Sequence, residues 1–192
     1  MRTIPRCLDT VPLNSVAQAA PATAVRPSVL LDFEMLDQRE TNWCWAAVSV
    51  SVDLYYDQEA DPSLCRLVNR VLDRNDCCRE TVPDACNSTR RLSVALKARG
   101  RYGRLYSKRL SFKWVRGQIN NEVLVPIAIK WSSGLAHFIV CRGYEYGPAV
   151  NRTDLHICDS ENGNGTYPYL AVANRYLGYV GRWSHTYVVK TG

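Results

Sequence analysis

The amino-acid sequence predicts a single α+β domain, with helices in its first half and an antiparallel sheet in its second half. The first half contains a long, Ala-rich apolar run, and the second half contains short β-branched runs separated by turn-forming residues. The chain has 192 residues, of which 46% are hydrophobic and 22% charged. This composition is sufficient for one core, and it excludes wholesale disorder, collagen and low-complexity classes.

The N-terminal 30 residues are predicted to form a flexible arm or a removable pro-segment, ahead of a domain that covers residues 31–192. Pro12, Pro21 and Pro27 lie there among small residues that show no apolar period. The segment lacks the compact apolar stretch of a secretory leader, and no part of the chain approaches the roughly 20 apolar residues of a membrane helix. We therefore expect neither a standard signal peptide nor a membrane span.

Three helices are predicted in the first half of the chain. Thr41 or Asn42 can cap the first helix, because their side-chain oxygens accept hydrogen bonds from the unpaired amides of a first turn. This assignment places Cys44 within that first turn. Gly100 is expected to end the third helix. The predicted helices cover residues 42–56, 62–72 and 89–98.

The second half changes to strands. Its apolar runs are short and β-branched, and the turns that follow the first three of them read S-S-G, Y-G-P and S-E-N-G-N-G. Short strands with such close turns are typical of an antiparallel sheet. The sequence assigns no element to residues 173–183. The predicted strands cover residues 123–131, 136–146, 155–159, 167–172 and 185–190.

Four of the eight cysteines, Cys65, Cys77, Cys78 and Cys86, are grouped in one polar, turn-rich segment. Two local disulfides are expected, and strain disfavours a bridge between the adjacent Cys77 and Cys78, which leaves two pairings. Free thiols and a zinc site are the alternatives, although the segment has no C-x-x-C pair and no histidine. Oxidised pairs would indicate an extracellular or periplasmic protein.

Cys7, Cys44, Cys141 and Cys158 make up the remaining cysteines. Cys141 and Cys158 lie in apolar, strand-like runs, where a thiol is expected to be an inert part of the core. Cys7 falls in the predicted arm. Cys44 alone has a position that suggests chemistry, because the unpaired amides and the dipole at a helix start favour the thiolate.

The net charge of +6 is unevenly distributed along the chain. Residues 90–116 hold ten Lys or Arg and no acid, so the rest of the chain is net negative. This segment could meet an acidic partner or an inhibitor, and a solvated face is the alternative. It carries no RNA-binding or zinc-finger signature, so the sequence does not favour nucleic acid as a partner.

Two further residues could complete a nucleophilic site around Cys44. His137 follows a turn and opens an apolar strand, where a general base can be aimed across a cleft. Asp159 ends the next strand and could orient the imidazole, with Asn162 or Asn164 as substitutes. A histidine or an aspartate in such a place is often merely structural, so the prediction depends on the combination.

This combination resembles the papain-like cysteine peptidases. Gln38 precedes Cys44 at the interval of that family's oxyanion-binding glutamine, and the order Gln38, Cys44, His137, Asp159 also agrees. The runs N-W-C-W-A-A, L-A-H-F-I-V-C-R-G-Y and H-I-C-D-S resemble bacterial papain-like proteases, which include effectors delivered into host cells. The resemblance covers roughly residues 36–160, and the cysteine-rich insert is similar to one found in some of these proteins.

The resemblance implies a fold with the active site between the helical half and the sheet. It implies a cysteine endopeptidase, acting on a protein or peptide substrate without cofactor or metal, and secreted or delivered by a non-classical route, with a cytoplasmic location as the alternative. Gln38 and the Cys44 amide would stabilise the oxyanion. A glutamine deamidase or acyl transferase with the same triad, and an inactive binding module, are the alternative functions.

Overall fold

The computed structural model describes residues 27–147, 152–178 and 181–192 and has mixed α+β architecture. The predicted α+β class is therefore confirmed. Most of the predicted arm, including Cys7, lies outside the described residues. The helices are α1 (Cys44–Tyr56), α2 (Leu64–Leu72), α3 (Leu92–Ala98), α4 (Phe112–Asn120) and α5 (Tyr169–Asn174), with 3-10 turns at Asp84–Cys86 and Tyr176–Gly178.

The described strands form one antiparallel sheet with the order β2-β7-β3-β4-β5-β6, and β1 pairs with the C-terminal part of β4. The sheet places the end of β5 beside the start of β4, which brings two of the predicted site residues together. The strands are β1 (Ser28–Leu30), β2 (Tyr102–Tyr106), β3 (Val125–Trp131), β4 (Ala136–Gly147), β5 (Arg152–Asp159), β6 (Gly163–Pro168) and β7 (Gly181–Val189).

Strand β1 belongs to the sheet, although its residues fall within the predicted arm. Leu31 N donates to Arg142 O at 2.9 Å, next to the register pair of Leu30 and Gly143. A Cβ at Gly143 would lie 2.5 Å from Val29 O, so a glycine is required for the strand to approach this closely. Residues 28–30 are therefore part of the sheet.

Helix α1 is the central element of the core. Every residue from Cys44 to Asp53 is buried, and the helix packs against α2, α3 and β4. A helix covered on several sides is apolar all round rather than amphipathic, which explains the unbroken apolar run in the sequence. Among the described helices, none combines the length and the hydropathy needed to cross a bilayer.

The predicted cap of α1 is wrong. Trp43 occupies the N-cap position and makes no side-chain cap hydrogen bond. Thr41 and Asn42 bond to Asn87 instead: Asn87 Nδ2 donates to Thr41 Oγ1 at 3.0 Å, and Asn42 N donates to Asn87 Oδ1 at 3.0 Å. The polar residues before the helix therefore tie it to the cysteine-rich segment.

The predicted strand over residues 167–172 is also wrong. Strand β6 ends at Pro168, and α5 begins at Tyr169. Proline cannot donate to a strand ladder but is tolerated at a helix start. The side chains of Tyr169, Val172 and Ala173 are buried at helical spacing, so packing selects the helix.

Two elements lie in or beside the basic segment where none was predicted. Strand β2 lies at an edge of the sheet, and α4 is capped by Ser111, whose side chain accepts from Trp114 N. Val115 and Ile119 of α4 are buried four residues apart. Ser111 and this spacing were the available sequence signals for α4.

Disulfides connect Cys65 with Cys78 and Cys77 with Cys86, which is one of the two expected pairings. Cys141 and Cys158 are buried and unpaired, as predicted. Burial raises the pKa of the Cys141 thiol to about 12 and that of the Cys158 thiol to about 11. Neither thiol is therefore suited to act as a nucleophile near neutral pH.

Candidate active site

The predicted residues Cys44, His137 and Asp159 meet where α1 faces the sheet. Cys44 is the first residue of α1, His137 is the second residue of β4, and Asp159 is the last residue of β5. All three are buried, and the Cys44 residue is 7% exposed. Cys44 and His137 both line a cleft between the helical wall and the sheet.

The register of β4 and β5 places His137 diagonally across from Asp159. Asp159 pairs with Ile139, so the imidazole lies two residues further along the same face. His137 Nε2 and Asp159 Oδ1 are 2.8 Å apart. Because Nε2 is used in this way, Nδ1 is the ring nitrogen left for Cys44, which lines the same cleft and helps to raise the pKa of His137.

These contacts hold His137 in its charged form. Burial alone would lower the pKa of His137, but the hydrogen bond to Asp159, the nearby Cys44 thiol and the charges of both groups raise it to about 10. A protonated imidazole beside a thiol at a helix start favours a thiolate–imidazolium pair. The arrangement can therefore supply both a nucleophile and an acid.

Asp159 accepts hydrogen bonds from several groups besides His137. Its Oδ1 accepts from Glu161 N at 2.9 Å and Asn162 N at 3.1 Å, and its Oδ2 accepts from Asn162 Nδ2 at 3.1 Å and Tyr176 Oη at 3.0 Å. Burial would raise the pKa of Asp159, but the bond to His137, the charge of that residue and these further donors lower it to about 2. The carboxylate is thus ionised and fixed in orientation.

The two asparagines considered as substitutes for Asp159 occupy other places. Asn162 donates to Asp159 itself, and Asn164 lies in β6 opposite Cys158. Tyr176 was missed by the sequence analysis because it lies 17 residues beyond Asp159, in a stretch with no assigned element. It reaches Asp159 through the 3-10 turn that follows α5.

We expect Tyr176→Phe to weaken the thiolate–imidazolium pair of Cys44 and His137 without removing a reacting group. Loss of one hydrogen bond to a buried carboxylate should slow Cys44 chemistry about tenfold. Asp159 would then hold the imidazolium less well, so the alkaline limb of the alkylation rate of Cys44 against pH should move to lower pH.

The matched control is Tyr144→Phe on β4. It removes another buried hydroxyl, which donates to Asn120 Oδ1 at 2.7 Å. It should lower stability but leave the pH profile unchanged. Identical profiles for wild type and Tyr176→Phe would contradict a positioning role for Tyr176.

Gln38 lies beside the end of β5. Its backbone N donates to Ser160 O at 3.1 Å, and its Oε1 accepts from Ser160 Oγ at 2.9 Å. Its Nε2 donates to Thr41 O at 3.1 Å, which leaves the second Nε2 hydrogen for another acceptor. Ser160 thus couples the position of Gln38 to that of Asp159.

The disulfide-bonded segment holds the start of α1. Trp43 Nε1 donates to Cys86 O at 2.8 Å, and Trp45 Nε1 donates to Ser88 O at 3.0 Å. Both indoles are fully buried, as expected for core residues. Asn42 bonds to Asn87 in addition. Three successive residues, 86–88, therefore hold the residues on both sides of Cys44.

We expect loss of the Cys77–Cys86 disulfide to impair the site as well as the fold. Cys77→Ala with Cys86→Ala should lower the free energy of unfolding by about 2–4 kcal/mol and slow the alkylation of Cys44, because residues 86–88 lose their anchor. The control pair is Cys65→Ala with Cys78→Ala, which should cost similar stability. Equal alkylation rates in the two double variants would contradict the proposed link to the nucleophile.

The His137–Asp159 pair should make stability depend on pH in two ranges. The pKa of His137 is raised from 6.5 to about 10, so its contribution is complete below pH 6.5 and is lost as pH rises towards 10. The pKa of Asp159 is lowered from 3.8 to about 2, so its contribution is complete above pH 3.8 and is lost as pH falls towards 2. Denaturant unfolding at a series of pH values measures both limbs. His137→Gln should flatten the alkaline limb, and an unchanged limb in that variant would contradict the assignment.

The cleft beside Cys44 has a volume of about 830 Å³, within the range of roughly 300–1,000 Å³ of ligand sites. Its helical wall includes Thr89, Arg90, Arg91 and Ser93. Its sheet wall includes Leu105, Ala128, Leu135, Phe138, His185 and Tyr187.

Comparison with known proteins does not identify a family for the chain. No protein-family model matches the chain, and no curated protein matches it significantly.

Proposed function

We propose that the chain is a cysteine endopeptidase with a papain-like fold. The observation that carries this proposal is the place of one buried imidazole, which is bonded to Asp159 through Nε2, lines the same cleft as Cys44, and has a pKa that both groups raise. A nucleophile, a base and an orienting carboxylate brought together in this order are the signature of an acyl-transfer site. A papain-like arrangement is further supported by a nucleophile at the start of a core helix that faces an antiparallel sheet.

In the proposed reaction, the Cys44 thiol proton already resides on His137 in the thiolate–imidazolium pair, and the thiolate attacks the carbonyl carbon of a peptide bond. The oxyanion accepts hydrogen bonds from the Cys44 amide and from the free Nε2 hydrogen of Gln38. His137 then gives its proton to the leaving amine as the C–N bond breaks. Water, deprotonated by His137, hydrolyses the thioester and releases the carboxylate product and the thiol.

The two disulfides favour an oxidising working environment, as in a secreted protein or a bacterial effector or toxin. The substrate is a protein or peptide, because the cleft extends well beyond the reacting thiol. Neither the triad nor the oxyanion donors call for a cofactor or a metal.

Selective alkylation of Cys44 tests the proposed nucleophile. At about pH 5.5, where an ordinary thiol is protonated, iodoacetamide should label Cys44 in wild type and should fail to label it in His137→Ala. Cys141 and Cys158 serve as internal controls, because both are buried with raised pKa values. Labelling of Cys44 only at alkaline pH, or at the same rate in His137→Ala, would favour an inactive binding module.

A further inference from the structure

The active-site cleft is unevenly charged. Arg90 and Arg91 are exposed residues on its helical wall. Among the described residues that line the cleft, Glu161 is the one acid, and its Oε2 lies 3.9 Å from His137 Nδ1. The negative charge thus lies at the reacting groups, and the two arginines lie elsewhere in the cleft.

Both guanidinium groups are available to a ligand. Arg90 Nη1 donates to the neighbouring Thr89 O at 2.9 Å, and within the described part of the chain neither arginine forms an ion pair. By contrast, Arg99 and Arg101 of the same basic segment are paired with the buried Asp53. Two adjacent arginines without an acid partner are suited to bind a carboxylate through several N–H groups at once.

Arg91 lines the cleft together with Tyr187, whose distance from His137 follows from the sheet. The charge of Arg91 opposes the rise in the pKa of Tyr187 that burial causes, which is consistent with a guanidinium on the Tyr187 side of the cleft. Tyr187 is two strands from His137 across the sheet and about three residues further along it, a separation of roughly 14 Å. An extended peptide spans this distance in about four residues.

The sheet wall of the cleft carries several apolar side chains. Ala128, Phe138 and Leu105 belong to it, and Leu135 at the β3–β4 turn lines the cleft although it is 59% exposed. A peptide bound here would place apolar side chains on the sheet wall and a charged one beside the arginines.

We propose that the cleft selects acidic peptides, in which an Asp or Glu side chain lies within about four residues of the scissile bond and binds Arg90 and Arg91. The proposal rests on the proposed peptidase function for the meaning of the scissile bond, and it assigns the substrate class of that site. It also assigns a role to two arginines of the basic segment that form no ion pair with any described residue.

Peptide selection by Cys44→Ala protein tests this proposal without requiring catalysis. The immobilised variant is incubated with a library of random decapeptides, and the retained peptides are identified by mass spectrometry. Asp and Glu should be enriched, and the enrichment should fall about tenfold when Arg90→Gln and Arg91→Gln are added. The matched control adds Lys108→Gln and Lys113→Gln, which remove the same charge from exposed positions of the basic segment outside the cleft lining.

Retention without acidic enrichment, an equal loss in both double variants, or no retention at all would overturn the proposal. The same library incubated with wild type separates it from the peptidase function. Cleavage without acidic preference would leave the peptidase standing and remove the acidic specificity. Acidic peptides that are retained but never cut would leave the recognition standing and remove the peptidase.

Discussion

Cys44→Ala is expected to abolish peptide hydrolysis, with a fall in kcat on the order of 10⁶-fold, while the fold remains intact. The thiol is the proposed nucleophile, and neither His137 nor Asp159 can form the thioester in its place. Alanine fits the site, because the residue is a small buried member of a helix start that already contains Ala46 and Ala47. Activity on a cleavable peptide and the thermal unfolding midpoint should be measured on the same preparation.

Cys158→Ala is the matched control for this variant. It removes another buried, unpaired thiol, located in β5 outside the cleft lining. It should lower stability slightly and leave kcat unchanged. Residual activity in Cys44→Ala at the wild-type level would contradict the proposed nucleophile.

Asp159→Asn is expected to lower kcat by a factor of about 10⁴, because an amide neither holds the reactive tautomer of His137 nor stabilises the imidazolium. The carboxylate also raises the pKa of His137 by its hydrogen bond and charge, against the effect of burial. In the variant this pKa should fall, so the imidazolium should be lost at lower pH. The alkaline limb of the rate–pH profile should therefore move towards neutral pH.

Asp32→Asn provides the control, because Asp32 is exposed and lies outside the cleft lining. It should leave both the rate and the profile unchanged. An Asp159→Asn variant with wild-type activity and an unshifted alkaline limb would show that the carboxylate serves only the β5–β6 turn.

The sequence predicted the elements that carry a local signal. The apolar run of α1 is continuous because the helix is buried on several sides, so both the helix and the place of Cys44 were evident. His137 and Asp159 flank turns, where strand ends are marked by small and polar residues. The pairing of these strand ends in one antiparallel sheet then brings the two side chains together.

What the sequence did not predict depends on contacts between distant residues. Asn42 makes a good cap in isolation, but its partner Asn87 lies 45 residues away. Tyr176 reaches Asp159 only because α5 folds back against β5 and β7. Neither contact has a local pattern, so no periodicity or spacing could indicate it.

The basic segment shows the same limit for charge. Several of its arginines lie over aromatic rings, with Arg104 over Tyr106 and Arg116 over Tyr146. These pairs serve the fold, in addition to the ion pairs with Asp53. A partner at residues 90–116 stays a prediction.

Mass spectrometry of a broad peptide library, incubated in mild reductant with wild type and with Cys44→Ala, tests the central claim most directly. The proposed peptidase predicts new peptide termini that arise with wild type and are absent with Cys44→Ala. Intact peptides in which glutamine has become glutamate would contradict hydrolysis of the peptide bond and indicate a deamidase. Peptides left unchanged by both proteins would contradict the proposed peptidase.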